Sequence, residues 1–323
     1  MRISFFLLIA LMLAACTAGY GFQATITVGS TGNATTIQQA FQMMGSTVMA
    51  DSVTLYLGDA VYNEGELSLT QHNGYPKSVK IMGNPLGEPP TINFTQQNSN
   101  GTAITVTSIE AFTMTGVNVS LSQSAAWGAA VSVHLTAGQL KTPSTSSGIS
   151  IYAPTAAKGL DVDIEGGGSY TVSATTITTN GPCVVPGTGV SKLTLTGNTF
   201  TTGSRVIDGT NLRSDTVIVA NNNITKTSNS TSPVLDIALT QGQNARSVWV
   251  HDNQVHVSGA AATAIDISSA AGGSIQVNNN LVTLGGYTSC DSRGLHISGF
   301  GGIGSTISIT DDSISGGGVA IWL

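Results

Sequence analysis

From about residue 79 to its last residue the chain repeats one phrase: apolar, any, apolar, two spacers, a small polar residue, one more residue, apolar. Clear copies are Val79-Lys80-Ile81 with Asn84 and Leu86, Leu193-Thr194-Leu195 with Asn198 and Phe200, and Val217-Ile218-Val219 with Asn222 and Ile224. Val248-Trp249-Val250 with Asn253, Ile275-Gln276-Val277 with Asn280 and Ile307-Ser308-Ile309 with Asp312 continue it, and Tyr170-Thr171-Val172 carries Thr175 at the marked place. From Thr175 the marked positions advance in steps of 23 to 32 residues. Period-two alternation puts every second side chain on one face of a strand. Short strands and polar turns recurring at this interval predict a solenoid, whose units bury their apolar faces only by stacking. A second strand recurs between the phrases: Val206-Ile207-Asp208, Leu235-Asp236-Ile237, Ile265-Asp266-Ile267, Leu295-His296-Ile297 and Ile321-Trp322-Leu323. At least two strands per coil predict an all-β parallel β-helix. Asn84, Asn198, Asn222, Asn253, Asn280 and Asp312 are expected at equivalent turns, bonding to one another as a ladder at the strand spacing of about 4.8 Å.

Upstream the text differs. Ala24-Thr25-Ile26-Thr27-Val28 reads as a first strand, and Thr35 or Thr36 opens a short helix with Ile37, Ala40, Phe41 and Met44 at helical spacing. A lone amphipathic helix ahead of a solenoid is an end cap, covering strand edges that water would otherwise reach. Residues 19–50 are therefore expected as strand and cap, and 51–323 as β-helix. Val319-Ala320-Ile321-Trp322-Leu323 fills a second-strand position with nothing after it, which predicts an uncapped end that further coils or a partner would cover.

The first 18 residues read as a secretory signal: Arg2, an apolar run from Ile3 to Leu13, then small residues. The run is short for a membrane span. Leu13-Ala14-Ala15-Cys16 resembles a bacterial lipobox, in which Cys16 would be lipidated; ordinary cleavage near Ala18 is the other reading. The expected location is outside the cell or on its surface, an outer-membrane lipoprotein if the source is bacterial. Cys183 and Cys290 lie about four coils apart, roughly 19 Å along the axis, beyond the reach of a disulfide of about 7 Å.

Charged residues make up 9% of the chain, against roughly 25% in ordinary domains. With 11 Lys and Arg against 17 Asp and Glu there is no basic stripe, so a nucleic-acid partner is not expected.

The run Thr36-Ile37-Gln38-Gln39-Ala40-Phe41, followed by Leu57-Gly58-Asp59-Ala60-Val61-Tyr62-Asn63-Glu64 and Lys80-Ile81-Met82-Gly83-Asn84, resembles the opening of pectin lyase-like right-handed β-helices. That resemblance implies a cap helix, a right-handed parallel β-helix and a polysaccharide-related role. The Asn-punctuated coils also resemble, in texture, the dispersed gene family surface proteins of trypanosomatids. Pectin methylesterase phrases (Gln-Asp-Thr-Leu, Asp-Phe-x-Phe-Gly) do not occur. Of the polygalacturonase set only Asp311-Asp312 is present, without Gly-His-Gly or Arg-Ile-Lys. An enzymatic role is therefore the weaker expectation.

The candidate site is the outward column on the second strand: Asp208, Asp236, Asp266 and His296, with Asp161 extending it. Carboxylates about 5 Å apart in register would repel. Their pKa values would rise, or a cation, calcium above all, would sit at Asp208, Asp236 and Asp266. Were the chain a glycoside-active enzyme, Asp236 and Asp266 would be its catalytic pair. Trp249 is expected outward, as a stacking platform for a sugar. The expectation for function is a secreted or surface β-helix with a structural or adhesive role toward glycans or cell-surface components; the alternative is a divergent polysaccharide-active enzyme.

Overall fold

A computed structural model describes residues 22–323 apart from residues 45, 73, 85–86, 96–99, 123–125, 137–143, 211, 240–245, 259–262, 270–272, 286–291, 300–304 and 317–318. The stretch expected to be a signal, with Cys16, and Cys290 lie outside the described residues. Strand makes up 61% of the structure and helix 3%, in a parallel β-solenoid of about nine turns. Named strands pair in parallel with their equivalents in adjoining coils, giving three sheets of eleven, ten and ten strands, the strands at each sheet's ends pairing on one side only. Among the described residues no helix is long and apolar enough to cross a membrane.

One coil shows how sequence becomes structure. Thr216–Ala220 lies in the eleven-stranded sheet (sheet one), and the chain turns at Asn221 and Asn222. Asn223–Lys226 then lies in sheet two, and after a loop Leu235–Leu239 lies in sheet three. The strand after the turn is a third strand that the sequence pattern leaves unannounced. Its copies, such as Thr199–Thr202 and Gln254–Val257, are four residues long and bury two side chains each. Inward positions stack into columns. On sheet one Tyr170, Leu193, Val217, Val248 and Ile275 follow one another in register, all essentially inaccessible to water. Each such side chain contributes about 1.5–3 kcal/mol by burial, so coil adhesion is distributed along the whole axis.

At the N-terminal end the helix α1 (Ile37–Met43) is opened by Thr36, whose hydroxyl accepts from the Gln39 N–H at 3.0 Å. Its Ile37, Ala40 and Phe41 face inward, as the spacing predicts. Two polar side chains of the first coil tie down this end, Tyr62 to the first strand and Glu64 to the helix. Tyr62 donates to the Val28 carbonyl (2.7 Å) and accepts from the Asp59 N–H (2.8 Å), while the buried Glu64 carboxylate accepts from the Ile37 N–H at 2.8 Å. Burial raises the Glu64 pKa, and the helix N–H groups of Ile37 and Gln38 draw it back. The Tyr-x-Glu phrase thus has a structural duty here.

The Asn ladder forms as expected from Asn198 onward. Asn198, Asn222, Asn253 and Asn280 are buried. Each side-chain Nδ2 donates to the Oδ1 of the next, at 2.9, 2.9, 2.9 and finally 2.8 Å to Asp312. Each Oδ1 also accepts the backbone N–H of the rung before it, beginning with Thr175 to Asn198 at 3.0 Å. The second Nδ2 hydrogen of each Asn reaches a carbonyl of the preceding coil, as in Asn222 to Leu195 at 3.1 Å. All four hydrogen-bonding capacities of a rung are filled.

Asn84 departs from the expectation: it is exposed and stands outside the buried ladder. Before Thr175 the ladder column is apolar, held by Val117 and Ile149, so an Asn there would find no amide to join. The left-handed turn also falls one residue earlier than expected. Gly116, Gly148, Ala174, Gly197, Asn221, Asp252, Asn279 and Asp311 all have φ between 47° and 64°. Gly, Asn and Asp tolerate that region; Ala174 is strained by its Cβ. We expect Ala174→Gly to stabilise the protein by about 0.5–1 kcal/mol, strain relief exceeding the added chain entropy. A lower melting temperature for the variant would contradict that account.

Candidate functional site

The expected acidic column exists. On the outer face of sheet three Asp208 pairs with Asp236, Asp236 with Asp266, Asp266 with His296, and His296 with Trp322. Asp161 is in register with Val185, which separates it from the rest. What fills the column differs from the expectation. The Arg205 guanidinium reaches both Asp208 (2.9 Å) and Asp236 (2.7 Å) from one nitrogen, and His296 Nδ1 stands 3.0 Å from Asp266. Lys158 pairs with Asp161 at 2.8 Å. Burial raises the Asp236 carboxyl; Arg205 pulls it down, and the Asp266 and Asp208 charges push it up.

At Asp208, Asp236 and Asp266, the place expected for calcium, Arg205 and His296 already contact the carboxylates. Among the described residues no group of three or more His, Cys, Asp or Glu is arranged to hold a metal. For Asp236 and Asp266, the pair chosen as catalytic, the same contacts engage one oxygen of each carboxylate. Trp249 points outward from sheet one, 42% exposed, between Ile218 and Gln276 of the neighbouring coils. Cys183 is buried, and burial pushes its thiol up, away from the reactive thiolate.

A better-formed site lies where sheet three turns into sheet one. There an open cleft of about 590 Å³ is lined by His134, Asp163, Glu165, Thr188, Ser191 and Arg213, with Gly166, Gly167 and Gly189 as its floor. His134 and Asp163 are register partners on adjacent strands of sheet three, and Asp163 Oδ2 stands 3.6 Å from His134 Nδ1. The other Asp163 oxygen accepts two backbone N–H groups, from Ile164 and Gly189, each at 3.0 Å. Glycine is required for this: a Cβ on Gly187 would meet Asp163 Oδ1 at 2.4 Å, and one on Gly189 would meet the Ile164 carbonyl at 1.7 Å. Turn glycines thus let the backbone close on Asp163 and fix its direction. Ser191 donates its hydroxyl to the Gly168 carbonyl (2.9 Å), which leaves its lone pairs toward the cleft.

Sequence reasoning singled out none of these residues. They come from strand ends and the corners beside them in successive coils, where no phrase repeats; a signal was present in Glu165-Gly166-Gly167-Gly168 and Gly187-Thr188-Gly189, two glycine-rich corners 22 residues apart. No family model, no curated protein and no solved structure matches the chain.

Proposed function

We propose that this protein is a secreted or surface-attached β-helix that binds glycans, serving a structural or adhesive role. The observation that carries the reading is the corner cleft: an open, polar, rigidly framed groove of about 590 Å³, within the size range of small-molecule sites. A parallel β-helix suits an extended ligand because equivalent positions recur along its axis at each strand spacing. Exposed Trp249, on the strand that follows Arg213's coil, supplies an apolar ring face of the kind on which a sugar stacks. The N-terminal leader read from the sequence accords with export, and the opening phrase that resembles pectin lyase-like helices accords with a polysaccharide setting. In the acidic column the carboxylates are tied to Arg205, His296 and Lys158, so binding rather than catalysis there is the reading we adopt.

The test is a glycan array probed with the purified full chain. Binding to a defined set of saccharides, weakened about tenfold by Arg213→Ala and by Trp249→Ala, is the expected result. Silence across plant, bacterial and animal glycans would end the proposal.

A further inference from the structure

We infer that the corner cleft selects neutral saccharides, recognised through their hydroxyl groups, over acidic or amino sugars. The inference rests on the glycan-binding reading and goes further by assigning the ligand class. Its basis is the arrangement of one-way hydrogen-bonding groups. Arg213 offers only donors, whereas the carboxylates of Glu165 and Asp163 offer only acceptors. All three line one groove.

Among the described residues neither Arg213 nor Glu165 forms an ion pair, whereas three other cations do. Arg205 is held by Asp208 and Asp236, Lys158 by Asp161, and Lys77 by Asp51. Arg293, elsewhere, lies over the Trp322 ring at 4.5 Å. Both cleft charges are thus exposed, uncommitted and opposite in sign.

A ligand entering must satisfy donors and acceptors side by side. A hydroxyl does both at once. A carboxylate or sulfate only accepts, so what it gains at Arg213 it loses by repulsion at Glu165 and Asp163. An ammonium only donates, with the opposite conflict at Arg213. The remaining lining agrees: Ser191, its hydrogen committed to Gly168, presents an acceptor; Thr188 can serve either way; His134, with Nδ1 toward Asp163, has Nε2 left to offer. Asp163 cannot swing away to admit an anion, because the Ile164 and Gly189 N–H groups hold it.

The experiment is isothermal titration of the full chain with cello-, manno- and maltohexaose, hexagalacturonate and a glucosamine hexamer, at pH 7 and moderate salt. At least one neutral hexamer should bind about tenfold or more tightly than either charged one. Arg213→Ala and Glu165→Ala should each weaken it about tenfold, the effect of one charge-assisted hydrogen bond. Glu165→Gln, which removes the repelling charge and keeps the shape, should narrow the gap to hexagalacturonate. Equal or tighter binding of either charged hexamer would overturn the neutral preference while leaving glycan binding intact. Neutral binding untouched by both alanine variants would place recognition elsewhere and overturn the inference. No binding by any hexamer, with the array also silent, would remove both readings.

Discussion

Replacing Asn222 with Ala should lower stability by about 3–5 kcal/mol, a large effect for the exchange of a single polar side chain. The reason is the number of groups one amide serves. Asn222 accepts from the Asn198 backbone N–H (3.0 Å) and the Asn198 side chain (2.9 Å). It donates to the Leu195 carbonyl (3.1 Å) and to Asn253 Oδ1 (2.9 Å). Three of those partners would be left short inside a site closed to water, each at a cost of about 1–3 kcal/mol, and relaxation of the turn would recover only part. Asn222→Asp should also be harmful, since the second carboxylate oxygen would face the Leu195 carbonyl. A urea titration of the two variants checks both claims. A shift below about 1 kcal/mol for Asn222→Ala would mean that water replaces the amide, and that the ladder decorates the turn rather than holding it.

Removing Arg205 is the second large perturbation. Arg205→Ala leaves Asp208 and Asp236 side by side in register with no cation between them. The expected loss is about 2–3 kcal/mol at pH 7, below the range for a fully buried pair because all three groups keep some contact with water. The pH dependence has a definite sign. Asp236 already titrates above its ordinary value through burial and the Asp266 and Asp208 charges, and Arg205 is what restrains it. Without Arg205 its folded pKa climbs further above the unfolded value. The folded variant then holds more protons than its unfolded chain, and its stability falls as pH rises through that window. Lowering pH from 7 to 5 should therefore narrow the gap between variant and parent in matched thermal melts. Millimolar calcium should raise the melting temperature of the variant alone, because only there is the column open to a cation. A gap that stays constant with pH would show that Arg205 acts through packing rather than charge.

These two residues mark how far the sequence could be read. The ladder was legible because stacking imposes the same requirement on every coil: an amide that both gives and receives must recur at one turn, so Asn recurs. The fold was legible on the same ground, from inward Val, Ile and Leu in period two. Asn84 shows the limit, since the same phrase sits beside a column that is apolar at Val117 and Ile149. Nothing local to residues 79–86 reports what the neighbouring coil offers. The acidic column was placed correctly by counting, but its neutralisation by Arg205 was not, because that arginine lies before its strand and reaches across two coils. The cleft was invisible for a related reason. His134 and Asp163 stand near strand ends and Glu165 and Arg213 in corners of unequal length, where register, and not repetition, decides who meets whom. The opening phrase with Tyr62 and Glu64 was read through a family likeness, and its physical role here is to hold the first strand through Tyr62 and the cap helix through Glu64.

The ladder also has a direction. Every rung receives from the coil before it and gives to the coil after it, until Asp312, with no hydrogen to donate from its carboxylate, receives from Asn280 and passes nothing on. Because each interior coil presents the same acceptor on one side and the same donor on the other, coils are interchangeable as units of inheritance. A duplication or deletion that takes one whole coil rejoins donor to acceptor, whereas a cut of any other length breaks every sheet at once. Such a gene can change its protein's reach in steps of one coil while leaving each surviving surface intact, so that length and binding chemistry can evolve separately.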